Sequence, residues 1–145
     1  MDTESADYKH LYNKKDPSSY ANPTEAISTN INLVWDIDFE QQTITGSVEH
    51  TIRVVADGAS HVDFDSSKIN IVGDVLVNGE VGKFVAEPVH KVLGTKLVVT
   101  IPQDLRKEGT TFSVMFKYYI TTEASATQWL PASATKGQKH PYLFT

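Results

Sequence analysis

The sequence predicts an all-β domain of antiparallel strands, arranged as a β-sandwich or as a curved, twisted open sheet. Apolar residues alternate with polar ones over two long segments, and turn-forming residues separate about seven predicted strands in all. No stretch of ten or more residues shows the 3.6-residue apolar stripe of an amphipathic helix. A chain of 145 residues is the usual size of one domain, so we expect a single core.

The first two predicted strands are long and adjacent. Asn30 to Phe39 places five apolar side chains on one face, which predicts a half-buried strand with this inward row: Ile31, Leu33, Trp35, Ile37 and Phe39. The short link 40–42 leads to a second strand over 43–54, so the pair should form an antiparallel hairpin. Gly46 occupies an inward position of the second strand, which predicts a bulge or a close backbone contact and a bend in the sheet.

Shorter segments complete the predicted sheet. The Asn78-Gly79 pair tolerates positive φ at both positions and therefore predicts a type I′ hairpin turn. One helical turn is expected within 102–107, which begins with proline. The remaining predicted strands are His61–Phe64, Ile69–Val77, Lys83–Val85, Leu97–Ile101 and Thr111–Thr121.

Composition divides the chain into three parts. Residues 1–28 are polar and contain turn-forming prolines, which predicts an extended arm pinned partly by Tyr20 and Ile27. Residues 29–122 form the β domain, and residues 123–145 form a C-terminal segment that ends on an aromatic cluster. Because a free terminus is ordinarily polar, we expect this segment to have continued into further polypeptide.

Charge and composition argue against several classes of function. The net charge of −5 is spread along the chain without a run of like charges, so we expect no nucleic-acid partner. No segment approaches the roughly 20 apolar residues that span a bilayer, and the first twenty residues lack a secretory apolar run, so we expect no membrane partner and a cytoplasmic location. The chain has no cysteine, which excludes disulfides, thiolate zinc sites and cysteine nucleophiles.

The motifs of common enzyme classes are missing from these 145 residues. A zinc peptidase needs two histidines four residues apart on a helix with a glutamate between them, whereas the five histidines here are at least eleven residues apart and none precedes a glutamate. We also find no GxSxG, GxxxxGKS/T or GxGxxG sequence. We therefore predict no catalytic, cofactor-binding or metal-ligating residue in this chain.

One histidine and one pair of aspartates could still bind a metal ion. His50 lies on the predicted inward face of its strand. Its imidazole could be a metal ligand, but we favour a histidine whose hydrogen bonds are satisfied within or at the rim of the core. Asp63 and Asp65 share one side of a strand, where paired carboxylates could bind Ca²⁺ or share a proton. We favour the simpler interpretation of this pair, a solvated strand face.

Several segments resemble the N-terminal domain of the leukotriene A4 hydrolase and aminopeptidase B-like family of zinc aminopeptidases. The resemblance is most specific near the C-terminus, and it covers the chain from about residue 16 onwards. Asn30 departs from it, since relatives often have a histidine there. The matching segments are Asp16–Tyr20, Val34–Glu40, Thr43–Val48, Gln128-Trp129-Leu130, Lys136-Gly137 and His140–Phe144.

The resemblance implies that this chain is the non-catalytic, saddle-shaped β domain of a longer enzyme. In relatives the chain continues into a catalytic domain with GxMEN and HExxH motifs, and those motifs do not occur here. The parent would use zinc to remove N-terminal residues from peptides, with hydrolysis of a fatty-acid epoxide as a second activity to test. This chain alone would hold no cofactor and would meet peptide substrate only within the full-length enzyme.

The resemblance also implies a docking surface for the catalytic domain of the same parent chain. We expect it to consist of these C-terminal residues: Gln128, Trp129, Leu130, Tyr142, Leu143 and Phe144. An alternative is that Trp129 and Phe144 fold back onto the core of this domain. A second alternative is that the whole chain is a free-standing β-sandwich that binds a carbohydrate or a protein strand.

Overall fold

The computed structural model describes residues 18–145, which form antiparallel sheets and two short 3₁₀ turns without a closed barrel. The all-β, antiparallel prediction is therefore confirmed. Within these residues no helix is long and apolar enough to cross a bilayer. The strands are β1 (Ala26–Asp38), β2 (Thr43–Val54), β3 (His61–Ser66), β4 (Asn70–Ile71), β5 (Leu76–Val77), β6 (Glu80–Val81), β7 (Phe84–Ala86), β8 (Thr95–Thr100), β9 (Thr111–Ile120), β10 (Gln128–Leu130) and β11 (Tyr142–Phe144).

The largest sheet has the strand order β1-β2-β9-β5-β6, and β4 also pairs with β9. β1 and β2 form the predicted long hairpin, and β2 pairs with β9 along most of its length. Asn78 and Gly79 both have positive φ in the turn that joins β5 to β6, as the sequence predicts. β1 pairs only with β2 among the strands of residues 18–145, so its other edge is free.

Two smaller sheets accompany the large one. β3, β8 and β7 make a three-stranded sheet, and β10 pairs with β11 as a separate hairpin. The predicted helical turn is present as a 3₁₀ turn over Gln103–Leu105. The second 3₁₀ turn, Ala132–Ala134, lies between the strands of the β10–β11 hairpin.

The core lies between the large sheet and the three-stranded sheet. Alternate residues of the last half of β2 and the first half of β9 face those of β3 and β8, because the side-chain period of a strand is two. Phe64 and Phe116 join the two sheets with ring centroids 5.3 Å apart in an edge-to-face contact. The largest fully buried side chains are Ile44, Ile52, Ile101, Val54, Val75, Val99 and Val114.

The apolar face of β1 is not half-buried, and this prediction is wrong. The five residues of the predicted inward row are each between 39% and 54% exposed: Ile31, Leu33, Trp35, Ile37 and Phe39. The core covers the end of the large sheet where Ala26, Ile52 and Val54 lie, whereas β1 extends beyond it. Alternation therefore identified an apolar face correctly, but not what covers it.

Gly46 makes the close backbone contact that the sequence predicts. A side chain there would place its Cβ 2.1 Å from the Val34 carbonyl oxygen and 2.9 Å from the ring of Trp35. Trp35 can therefore lie across β2, and its indole nitrogen donates a hydrogen bond of 2.7 Å to the hydroxyl of Tyr118 on β9. The register break of the hairpin lies instead between Ser28 and Asn30 of β1.

Two boundaries differ from those predicted. β1 begins at Ala26, so the last part of the predicted arm belongs to the sheet, and the arm's residues 1–17 lie outside the described part of the chain. The predicted strand over 69–77 is divided into β4 and β5, because four residues there oppose two residues of β9. Gly73, with φ of 67°, turns the chain within this loop.

Candidate functional site

The six residues predicted to form a docking surface lie on one element, the β10–β11 hairpin. Three residue pairs face each other across it: Gln128 and Phe144, Trp129 and Leu143, Leu130 and Tyr142. The turn-forming segment between the strands brings residues more than ten positions apart into register. The structure thus assembles the predicted residues in one place, while their role as an interface stays a prediction.

Exposure differs among the residues of this hairpin. Tyr142 is 57% exposed and Phe144 is 43% exposed, with their ring centroids 6.2 Å apart. Leu130 and Leu143 are half-buried. Two neighbouring aromatic rings with this much exposure form the kind of apolar patch that proteins use to bind other protein surfaces.

Trp129 contacts this domain and also leaves one polar group unpaired. Its ring meets that of Phe39 edge-to-face, with centroids 5.7 Å apart. Its indole nitrogen is buried without a hydrogen-bond partner among residues 18–145. Because a buried donor without an acceptor costs about 1–3 kcal/mol, the position favours an acceptor supplied by another polypeptide segment.

A large groove lies between the apolar face of β1 and β3. Its volume is about 1400 Å³. We call it the β1 groove and define it by six of its lining residues: Ile31, Leu33, Val48, His50, Phe64 and Tyr118. The segment from Ser19 to Thr24 forms another wall. In the sequence, only the row of alternating apolar residues in β1 indicates this groove.

His50 lies on the wall of the β1 groove. Its Nδ1 atom is 3.0 Å from the hydroxyl oxygen of Ser28, and its ring lies against Phe64 with centroids 4.8 Å apart. Burial lowers the pKa of His50, because desolvation penalises the charged imidazolium. The environment is that of a histidine at the rim of the core, which is the simpler of the two interpretations.

Asp63 does not lie on a solvated strand face, and the prediction for this residue is wrong. It is 6% exposed and is held by two cationic or potentially cationic groups. Lys96 donates to one carboxylate oxygen at 3.2 Å, and the Nδ1 of His61 lies 2.8 Å from the other. A buried carboxylate is stable only when it is paired in this way. Lys96 lies far from Asp63 in sequence, whereas His61 is two residues away from it.

Asp65 is exposed, as predicted, but it binds the chain that precedes β1. The hydroxyl of Ser19 and the backbone nitrogen of Tyr20 donate to its two carboxylate oxygens at 2.6 and 2.7 Å. Asn22 then accepts a hydrogen bond from the backbone nitrogen of Asp63 and donates one to the carbonyl of His61. The sequence predicted that Tyr20 helps to pin this segment, but it did not identify Asp65 and Asn22 as the residues that bind it. The signal for Asn22 was its place before a proline next to the first strand.

The described residues offer nothing that fits a zinc ion. Within residues 18–145, no group of three or more histidine, aspartate or glutamate side chains is arranged so that it could hold a metal ion. Asp63 and His61 lie together, but Lys96 already occupies the position that a cation would take.

Comparison with curated proteins finds leucine aminopeptidases among the relatives of this chain. Leucine aminopeptidase 2 of Aspergillus fumigatus is 33% identical over 132 residues, which are 90% of this chain and 21% of that protein. The protein of the same name from Yarrowia lipolytica is 30% identical over 132 residues, 91% of this chain and 20% of that protein. The chain thus spans about a fifth of the length of the relatives it matches. No family model matches the sequence.

Comparison with solved structures finds the same fold. Native yeast LTA4 hydrolase matches with a TM-score of 0.77 and 24% identity, covering 90% of this chain and 20% of that chain. An M1 zinc metallopeptidase from Deinococcus radiodurans matches with a TM-score of 0.55 and 16% identity, covering 77% of this chain and 23% of that chain. The matched part lies at the N-terminal end of these enzymes.

Proposed function

We propose that this chain, which is homologous to the N-terminal domain of leukotriene A4 hydrolase-like M1 zinc metallopeptidases, packs on the catalytic domain of such an enzyme and helps to wall its substrate cleft. The observation that carries the proposal is the sequence identity of 33% with a leucine aminopeptidase over 90% of this chain. The shared fold with yeast LTA4 hydrolase supports it. That relatives match through a fifth of their length favours a domain of a longer enzyme over a free-standing binding module.

In this proposal the parent enzyme removes N-terminal residues from peptides, and this chain contributes shape rather than chemistry. Zinc, when bound in the parent, activates a water molecule and polarises the scissile carbonyl. The residues of this chain supply a rigid β scaffold, the exposed rings of Tyr142 and Phe144, and the unpaired indole nitrogen of Trp129. These groups can bind a neighbouring domain, and a domain boundary is a common place for a substrate cleft.

The test is an assay of the full-length protein that carries these residues. We expect it to hydrolyse leucyl-arylamide, to lose this activity on treatment with a chelator, and to regain it with zinc. A matched control blocks the substrate's α-amino group, which should abolish hydrolysis by an aminopeptidase. Turnover that survives the chelator, or equal turnover of the blocked substrate, would overturn the proposal.

Two finer features of the parent belong to the same proposal. Hydrolysis of a fatty-acid epoxide is supported by the name of the yeast relative, LTA4 hydrolase, and product analysis with such an epoxide tests it. A cytoplasmic location is supported by the absence of cysteine from the chain. Fractionation that finds the full-length protein in a secreted or membrane fraction would contradict that location.

A further inference from the structure

The turn between β5 and β6 has a chemical property that the proposed function does not use. Its sequence is Asn78-Gly79, and an asparagine that precedes glycine loses its side-chain amide readily, because glycine leaves its own backbone nitrogen unshielded. Each of the other five asparagines precedes proline or a residue with a long or branched side chain: Asn13, Asn22, Asn30, Asn32 and Asn70. The sequence therefore distinguishes Asn78 from the rest.

The structure leaves the reacting atoms of this turn accessible. Asn78 and Gly79 are exposed, and a Cβ atom added to Gly79 would meet nothing within 4 Å beyond its chain neighbours. Within the described residues 18–145, the backbone nitrogen of Gly79 forms no hydrogen bond. This nitrogen is the atom that attacks the amide of Asn78 in deamidation, and neither packing nor a hydrogen bond restrains it.

Asp57-Gly58, the other pair of this kind in the sequence, is held differently. The backbone nitrogen of Gly58 donates a hydrogen bond of 2.8 Å to the carbonyl of Arg106, and this bond has to break before the nitrogen can attack. A carboxylate is also a much weaker electrophile than an amide. The contrast makes Asn78 the reactive position of the two.

The hydrogen bonds of Asn78 assist a reaction at its side-chain carbon. Its Oδ1 atom accepts a hydrogen bond of 2.9 Å from the backbone nitrogen of Ser113 on β9, and its own backbone nitrogen donates one of 2.9 Å to the Ser113 carbonyl. Negative charge develops on Oδ1 when a nucleophile adds to Cγ, and a donor that is already in place stabilises this charge. The Ser113 N–H group is thus an oxyanion donor for attack on Asn78.

The hairpin can open far enough for the attack. β6 lies at the edge of the large sheet, and β5 and β6 share only two residue pairs. Such short edge elements open locally at a small free energy. Because Gly79 has a φ of 80° and no side chain, the peptide unit between Asn78 and Gly79 can rotate and bring its nitrogen to Cγ.

We propose that Asn78 is a site of spontaneous deamidation in the folded chain and that its isoaspartate product detaches the β5–β6 hairpin from β9. The Gly79 nitrogen forms a bond to Cγ of Asn78, its proton passes to the departing side-chain nitrogen, and ammonia leaves as a succinimide ring closes. Water then opens the ring at the Cγ bond, which gives aspartate, or at the main-chain bond, which gives isoaspartate. The net reaction consumes water, releases ammonia and adds one negative charge.

The two products affect the sheet differently. Aspartate keeps the backbone unchanged and retains an oxygen that can accept the hydrogen bond of the Ser113 N–H group. Isoaspartate routes the main chain through Cγ, and this adds one carbon to a turn whose length fixes the pairing of β5 with β6. Val75 and Val77, which are 1% and 4% exposed, lie just before and within β5 and would lose their cover.

The experiment follows the protein during prolonged incubation at mildly alkaline pH. Peptide mass spectrometry measures loss of the amide at Asn78 and, in the same digest, at Asn70, which is exposed but precedes isoleucine. We expect Asn78 to react at least about tenfold faster than Asn70. A carboxyl methyltransferase specific for isoaspartate should label the peptide that contains residue 78. Asn78→Gly, which suits the same type I′ turn and has no amide, should give no label there.

Hydrogen exchange tests the effect of the product on the sheet. Aged protein enriched in the isoaspartate form is compared with Asn78→Asp, which carries the same added charge on an unchanged backbone. The amides of β5 and β6 should exchange at least about tenfold faster in the isoaspartate form. Amides in the middle of β2 are the control and should exchange at the same rate in both proteins.

The site and its structural effect can be contradicted separately. Equal rates at Asn78 and Asn70, or reaction of Asn78 only after the chain is unfolded in urea, would overturn the site in the folded chain. Equal exchange of the β5 and β6 amides in the isoaspartate form and in Asn78→Asp would overturn the detachment of the hairpin.

Discussion

At the scale of single residues, Trp35, Gly46 and Tyr118 lie side by side on three neighbouring strands, and the glycine makes the arrangement possible. The indole ring crosses β2 only because Gly46 has no side chain there. The buried hydroxyl of Tyr118 receives the hydrogen bond of that ring. The sequence indicates that position 46 needs a small residue. Its neighbours on β1 and β9 can be identified only when the pairing register of the sheet is known.

Gly46→Ala should lower the free energy of unfolding by about 1–3 kcal/mol, because the added methyl group overlaps a backbone oxygen that cannot move alone. Thr45→Ala, at the exposed adjacent position, is the matched control and should change stability by about 0.5 kcal/mol or less. Urea unfolding of the three proteins measures both effects. If Gly46→Ala left the free energy of unfolding unchanged, the strands would be able to separate there at little cost.

His50 should make the stability of the domain depend on pH. Its folded-state pKa is lowered by burial, so the folded protein keeps the imidazole neutral while the unfolded chain takes up a proton. Stability is then fully present above the unfolded pKa of about 6.5 and decreases as the pH falls through that value towards the folded pKa. Melting temperatures across this range should fall less steeply for His50→Gln than for the wild type.

The control for this pH dependence is His140→Gln, at an exposed position near the C-terminus. It should leave the slope of the wild type unchanged, because its side chain is exposed in the folded protein. Equal slopes for His50→Gln and the wild type would show that burial of this ring does not affect its protonation.

Asp63 shows why a buried polar network is difficult to predict from sequence. Alternation places Asp63 and Asp65 on the same side of β3, but only the pairing of β3 with β8 brings Lys96 to the first of them. Asp63→Asn should destabilise the domain by about 2–3 kcal/mol, because it leaves Lys96 without its buried carboxylate. Asp65→Asn, at an exposed position, should cost about 1 kcal/mol or less.

Chemical denaturation at neutral pH compares these two variants. Equal losses would mean that the ion pair contributes no more than an exposed one and that Lys96 finds another partner. A larger loss for Asp65→Asn would instead assign the main stabilising role to the anchor formed with Ser19 and Tyr20.

At the scale of elements, period-two alternation and turn residues predicted the long strands well. β2 and β9 have the predicted bounds to within a residue, and the Asn78-Gly79 turn is where the sequence places it. The division of residues 69–77 into β4 and β5 was missed, because pairing with β9 decides where that strand loops out. Exposure of β1 was also missed, since alternation identifies a face without its covering layer.

The β10–β11 hairpin illustrates the same limit for the candidate site. The aromatic residues were visible in the sequence, but their pairing in a hairpin and the contact of Trp129 with Phe39 were not. The docking role of Trp129 therefore stays a prediction. The ring contacts this domain, as a core residue would, and the buried indole nitrogen lacks an acceptor, as at an unfilled interface.

In residues 1–145, Trp129→Ala should accordingly lower the free energy of unfolding by less than the removal of a core aromatic side chain does. We expect a loss of about 1 kcal/mol, the value of an edge-to-face pair, against about 3–5 kcal/mol for Phe112→Ala in the core. The same Trp129→Ala change should weaken association with a separately expressed catalytic region. Thermal unfolding and a titration of the two parts measure these effects, and a loss as large as that of Phe112→Ala would place Trp129 in the core.

At the scale of the whole molecule, the sheets form a scaffold that leaves the apolar row of β1 exposed. The core between the sheets is complete enough to bury Ile52, Val99 and Val114 fully. Ile31 and Leu33 of the apolar row line the β1 groove, and Phe39, which follows β1, contacts Trp129 of the β10–β11 hairpin. A domain built in this way keeps its own fold while it offers an extended area to a larger neighbour.

Residues 1–145 alone should therefore neither bind zinc stoichiometrically nor hydrolyse aminoacyl-arylamides. A zinc aminopeptidase site needs three protein ligands around the metal and a carboxylate that activates the bound water. Among residues 18–145, the histidines and carboxylates that lie close together are committed to Lys96 and to the chain before β1. Metal analysis after dialysis and an arylamide assay test this, with the full-length protein as the positive control. One tightly held zinc per chain, or chelator-sensitive turnover by residues 1–145, would mean that the domain carries chemistry of its own.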